Sequence, residues 1–300
     1  MGQSDAVGLV LARPARLLGH EPFFGELIAG IEEGLSTEGR SLLLHIVPDH
    51  TAEIAAYRRW AEGSMVDAVI VVNLIADDPR LPVLTELRLP AVVVGGPRIG
   101  FTFSNVWIDD AQAMRDAVAY LIGLGHTRLA RVSGPHAFRH TRERSEAFLD
   151  ECARHSVESM IVEGDYTEDS GKRGTRSLLG RQGAPSAIVY DNDVMAAAGL
   201  AVGVEMGVPV PAKLAVLAWD DSTLCRLASP TLSAMTLDVH GMGLQVADCA
   251  LNTLAGGPVT AHMAPLPRLS VRESTARTPH GPAPAPAGTL DRPQRPSAAP

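Results

Sequence analysis

Cysteine is scarce: Cys152, Cys225 and Cys249 are the only three, and they stand far apart. An odd, dispersed set gives no disulfide framework and suits a reducing compartment. Cys152 and Cys249 fall within helical patterns, where a small buried hydrophobe is the ordinary role. Aromatic residues make up 4% of the 300, so a core here is built from Ala, Val, Leu and Ile; a hydrophobic content of 46% is ample for two domains. Lysine is nearly missing, with Lys172 and Lys213 alone, and the net charge is −8. A chain with that acid excess is not expected to hold nucleic acid by itself, which needs a basic face. No apolar run approaches a membrane span. No charged-then-apolar leader opens the chain, and no Asn-x-Ser/Thr sequon occurs. These absences lead us to expect a soluble, cytoplasmic protein without membrane contact.

Enzyme signatures are also lacking. There is no Gly-x-Ser-x-Gly elbow, no Cys-x-x-Cys and no His-Glu-x-x-His. Ser170-Gly171-Lys172-Arg173-Gly174-Thr175 hints at a phosphate loop. It carries Tyr166 where the first Gly should stand and Arg173 where Ser or Thr should follow Lys, and it lies in a helical pattern. His136 and His140 have metal spacing, but no third ligand accompanies them. We therefore expect no catalytic residue, no metal and no cofactor.

What is present is strand–helix alternation. Apolar runs at 7–11, 42–47, 68–72, 91–94 and 106–108 read as strands. Amphipathic stretches at 22–38, 51–62, 81–87 and 110–124 read as helices between or after them. Phe23, Leu27, Ile31 and Leu35 recur at fours, Gly39 supplies a stop, and Thr51 is a plausible N-cap. A second set follows: strands at 129–133, 160–163, 187–190, 214–218 and 232–237, with helices at 141–155, 167–180 and 193–206. A further helix at 242–254 and a strand at 267–271 close the ordered chain. Two such alternations predict an α/β protein with two doubly wound parallel sheets. The stretch from Pro279 onward is Pro/Ala-rich without apolar periodicity and reads as a disordered tail, 278–300.

The polar residues of interest lie past strand ends, the edge where open α/β sheets take ligands. Asn192-Asp193 follows one predicted strand and Trp219-Asp220-Asp221 the next. Gly134-Pro135-His136-Ala137-Phe138 leads into a helix carrying Arg144, whose planar fork of donors suits hydroxyls and carboxylates. Glu21-Pro22-Phe23-Phe24 opens the first long helix, with one Phe expected in the core and the other toward a cleft. Asp193 is read as a helix N-cap. His126, in Gly125-His126, has a structural reading as a turn residue and carries no expected chemistry.

In their order, the Phe-Phe helix, the Gly-His turn, the Gly-Pro loop with Arg144, Asn192-Asp193 and Asp220-Asp221 resemble the effector-binding core of the LacI/GalR family of bacterial transcription regulators. The resemblance covers roughly residues 6 to 275. It implies two periplasmic-binding-protein-like (type I) lobes joined by three crossovers. The expected lobes are 6–124 with 238–258, and 125–237 with 259–275. It implies a ligand site from Arg144, Asp220, Asn192, Phe23, Phe24, Phe138 and Asp109, although Asp109 is equally read as the cap of the next helix. Asp220, acceptor-only when ionised, and Arg144, donor-only, suit a ligand with both donors and acceptors, a sugar before a purine. The family further implies a homodimer and DNA contact through a helix-turn-helix. This chain starts at the first strand of the core, so either it is a piece of a longer protein or it senses without binding DNA itself. A stand-alone solute-binding protein of the same fold is the alternative.

Overall fold

A computed structural model describes residues 4–14, 22–96 and 102–276. The first sheet contains β1 (Ala6–Ala12), β2 (Ser41–Val47), β3 (Ala68–Val71), β4 (Ala91–Val94), β5 (Ser104–Trp107) and β11 (Ala261–Met263), in the order β11-β5-β4-β3-β1-β2. All of its pairings are parallel. The second contains β6 (Arg128–Ser133), β7 (Glu158–Glu163), β8 (Ala187–Tyr190), β9 (Ala215–Trp219), β10 (Ser233–Thr236) and β12 (Arg268–Ser270), ordered β12-β10-β9-β8-β6-β7. Only β12 runs antiparallel there. The central strands are unbroken apolar runs such as Ala-Val-Ile-Val in β3, buried along their whole length, as expected where helices cover both faces.

Among the described residues the helices are α1 (Pro22–Ser36), α2 (His50–Gly63), α3 (Arg80–Leu87), α4 (Asp110–Gly123), α5 (Arg139–Arg154), α6 (Glu168–Leu179), α7 (Asp193–Glu205), α8 (Thr223–Leu227) and α9 (Val239–Leu254). None is long and apolar enough to cross a membrane. The chain passes between the sheets after β5, after β10 and after β11, so the fold is the expected α/β pair of lobes with three crossovers.

The lobe boundaries differ from those expected at 124/125 and 258/259. Helix α4 buries Ala113, Met114, Ala117, Val118 and Leu121 against Leu129, Phe148 and Ala187, so it belongs to the second lobe. Its periodicity announces an apolar face but cannot say which sheet the face meets. Conversely, β11 pairs with β5 and keeps residues up to Met263 in the first lobe; three exposed residues carry no alternation to read. Helix α9 returns to the first lobe and packs on α1, Val246 and Ala247 joining Leu27 and Ile31 in one core. The cap of α2 is Asp49, which accepts from Ala52 N at 2.8 Å, and not Thr51, which lies inside the helix. The expected tail at 278–300 lies outside the described residues.

Candidate functional site

The carboxyl ends of both sheets face a cleft enclosing about 940 Å³, open solvent at its mouth included. The second lobe supplies most of its polar groups. Arg144, on the second turn of α5, lies with its guanidinium 4.1 Å over the Trp219 ring and donates through Nε to Asp110 Oδ1 at 2.6 Å. Burial opposes the charge on Arg144, but Asp110 and Asp191 outweigh it and raise its pKa. Burial drives the Asp110 carboxyl up, with Arg144 pulling the other way. The guanidinium is thus held flat and charged at the cleft wall.

Beneath it lies a second, fully buried pair. Arg131 donates to Asp191 through Nε at 2.7 Å and Nη2 at 2.6 Å, and through Nη1 to Ser145 Oγ at 2.7 Å. Asp191 Oδ2 also accepts from Gly134 N at 2.8 Å, which fixes the Gly-Pro turn. Breaking such a pair strands a charge in a medium that solvates it poorly.

Asp220 lines the cleft from the end of β9 with φ of 68°, a left-handed conformation that non-glycine residues seldom adopt. Burial, then repulsion from Asp193, pushes its carboxyl up to about 7, against the pull of Arg144. Asn192 is the N-cap of α7, its Oδ1 accepting from Met195 N at 2.9 Å while Nδ2 donates to Tyr166 O at 3.0 Å. The cap expected at Asp193 is therefore one residue earlier, because Asn192 holds the extended backbone a cap requires. Asp193 lies in the first turn, buried, with Oδ2 lacking a hydrogen-bond partner. Asp221 does not line the cleft: Arg272 Nη2 and Thr236 Oγ1 bind its Oδ2 at 2.6 and 3.1 Å.

The first lobe contributes a largely apolar wall. Phe23 and Phe24 both line the cleft, edge to face with centroids 5.3 Å apart. Phe24 lies in the core cluster and Phe23, half-buried, packs against it, so the two do not divide between core and cleft: both rings reach the cavity. Arg13 lies 4.0 Å over the Phe24 ring, and burial lowers its guanidinium to about 10.

Two of the expected residues stand elsewhere. Asp109 caps α4, accepting from Gln112 N at 2.8 Å, and its neighbour Asp110 is the one that lines the cleft. The Asp109 carboxylate is spent on the helix terminus, whereas Asp110 Oδ1 accepts from Arg144 at the cleft wall. Phe138 is not on the lining either: it stacks against His140 and Tyr166, with centroids 5.6 and 6.4 Å away. Those two rings do reach the cleft, joined by a 2.8 Å hydrogen bond between His140 Nε2 and Tyr166 Oη. Burial takes the His140 imidazole down to about 3, so it is neutral. Arg13, Asp110, His140, Tyr166 and Asp191 line the cleft beside the expected residues. The signal for Asp110 was the acidic doublet; for Tyr166 there was none. His126 was expected to bond within its own turn; instead its Nδ1 lies 2.9 Å from Ser186 Oγ, 60 residues along the chain.

A family profile described as a periplasmic binding protein-like domain matches residues 118–275. The transcriptional regulator CelR of Thermobifida fusca is 30% identical over 85% of this chain and 76% of its own length. AglR, a transcriptional regulator of Rhizobium meliloti, is 27% identical over 94% of this chain and 80% of its own. Among solved structures, a LacI family regulator from Bifidobacterium animalis superimposes with a TM-score of 0.84 at 30% identity, covering 92% of this chain and 99% of that one. A CelR–cellobiose complex superimposes with a TM-score of 0.83 at 29% identity, covering 90% and 84%.

Proposed function

Since this chain belongs to the LacI family of transcription regulators, we propose that its cleft binds a small polar effector, a sugar in preference to a purine, and that occupancy controls DNA binding. One observation carries the reading: Arg144 is held charged and flat between Asp110 and Trp219, within the same cavity as Asp220, Asn192, Phe23 and Phe24. Rings suit the C–H faces of a sugar. Asp220 accepts from its hydroxyls, and Arg144 and the second Nδ2 hydrogen of Asn192 donate to them. That a CelR structure holds cellobiose supports the same class. The role is binding, the reading that the transcription regulators among its relatives support.

A ligand touching both lobes stabilises one relative orientation, and it acts only through its differential affinity for the two states. In a homodimer, in the cytoplasm, such a shift would set the spacing of paired helix-turn-helix heads on an operator.

The test is a thermal-shift panel of cellobiose and other sugars, sugar phosphates, nucleosides and purines. At a hundred times Kd a ligand adds about 2.7 kcal/mol, a rise of roughly 4 °C in Tm for a chain of this length. A sugar that produces this in the wild type and not in Asp220→Asn supports the proposal. A response confined to nucleosides or purines overturns the preference for sugars.

A further inference from the structure

Arg80 stands at the start of α3, outside the cleft lining, yet all five of its N–H donors are spent within a few ångströms of the cleft's edge. Nε donates to Asp78 Oδ1 at 2.9 Å and Nη2 to Asp78 Oδ2 at 2.6 Å. Nη1 serves Glu53 Oε1 at 2.9 Å and the Val72 carbonyl at 3.0 Å, and the remaining Nη2 hydrogen reaches the Asn73 carbonyl at 3.1 Å. Asp78 Oδ2 accepts in turn from Ile75 N at 3.1 Å, and Glu53 Oε1 from Tyr57 Oη at 2.5 Å. The three charged side chains are 1%, 0% and 3% exposed for Arg80, Glu53 and Asp78.

The segment so gripped leads from the end of β3 toward the opposite lobe. Asn73, at φ 53°, lines the cleft. Leu74 offers its carbonyl to Arg139 N across the lobes at 2.8 Å, and Ile75 forms an antiparallel bridge with Phe138. Phe138 carries the contact on to His140 and Tyr166. Apart from the three crossovers, then, the lobes are joined by main-chain hydrogen bonding at one point, among the described bonds, and that point hangs on the Arg80 cluster.

We propose that Arg80 is a positioning residue: with Asp78 and Glu53 it fixes the 72–75 turn in the one conformation that both lines the cleft and bonds to the second lobe. A buried ion triad is a poor way to gain stability, since a well-packed apolar cluster of the same volume does at least as well. What apolar side chains cannot do is hold two carbonyls and an amide of an irregular loop. The loop has few main-chain bonds of its own to define it.

Arg80→Met, nearly isosteric along the stem, removes the donors, and Arg80→Lys restores the charge without the planar fork. The readout is hydrogen exchange at the Arg139 amide in the full chain. It lies in the other lobe and reports the interlobe bond directly. Arg80→Met should speed exchange at Arg139 on the order of tenfold or more, while the amide of Val189, in the core of the second sheet, keeps its wild-type protection. Arg80→Lys should fall between. Unchanged protection at Arg139 in a folded Arg80→Met protein overturns the assignment, as does parallel loss at Arg139 and Val189. If Arg80→Met does not fold, Arg80→Lys carries the same comparison; failure of both to fold assigns Arg80 to stability alone. Neither readout depends on what the cleft binds.

Discussion

Asp220 combines a left-handed backbone with a carboxyl pushed up to about 7. In the unfolded chain the same group titrates near 4. The folded, empty protein therefore holds a proton there that the unfolded chain releases. The stabilisation is complete below the unfolded value and is lost as pH rises through about 7. A melting series between pH 5 and 8 should show Tm falling as pH rises, with Asp220→Asn flattening the slope. A donor-rich ligand needs the ionised carboxylate, so its affinity should rise across the interval in which the empty protein weakens. Affinity independent of pH would place Asp220 outside the contact. The substitution Arg144→Ala is less clean, because it leaves the buried Asp110 without its counter-charge. It should cost about 3–5 kcal/mol of stability besides any ligand affinity, and denaturant melts of the empty protein measure that share.

At the level of elements, α1 and α9 approach so closely that their glycines decide the packing. A Cβ at Gly243 would stand 2.5 Å from the Leu27 carbonyl oxygen and 2.9 Å from the Gly30 Cα, both parts of a rigid helix. Gly243→Ala should therefore cost about 1–3 kcal/mol by forcing the helices apart. Gly25→Ala, in the same α1 with nothing within 4 Å of its added methyl, should be neutral or slightly stabilising. Thermal melts of the two variants separate close approach from helix propensity, and equal effects would refute the packing account. Such contacts mark the limit of what the sequence discloses. Long apolar runs and fourfold recurrences announced most strands and helices, because burial on both faces of a sheet leaves a local trace. The five-residue α8 and the three-residue β11 leave none. The site follows the same rule. Arg144, Asp220, Asn192, Phe23 and Phe24 sit at strand or helix ends and were legible. Asp110 and Asp191 acquire their place by pairing with arginines 34 and 60 residues away, a relation that no local pattern encodes.

On the scale of the whole molecule, α7 poses a question that a single chain does not answer. Its sequence, Asp-Val-Met-Ala-Ala-Ala-Gly-Leu-Ala-Val-Gly-Val-Glu, is apolar on every side, the character of a helix enclosed all round. Met195, Ala196, Leu200 and Val202 are enclosed in this chain. The opposite row, Val194, Ala197, Ala201 and Val204, follows helical spacing and runs from half-buried to exposed, with Val204 68% exposed. Helix α8 packs beside α7 and presents Leu227, 79% exposed. Water on such a row costs roughly 25 cal/mol per Å² of apolar surface, so a second copy laid against it gains stability in proportion to the area covered. A homodimer through this face agrees with the proposed mode of action, in which paired subunits transmit the cleft's state. Sedimentation equilibrium should give twice the chain mass for the wild type. Ala201→Glu, a charge at the middle of the row and away from the cleft lining, should return the single-chain mass without lowering the ligand-induced rise in Tm. A wild type that sediments as one chain, or an Ala201→Glu protein that remains paired, would move the interface elsewhere and leave the apolar row of α7 without a partner.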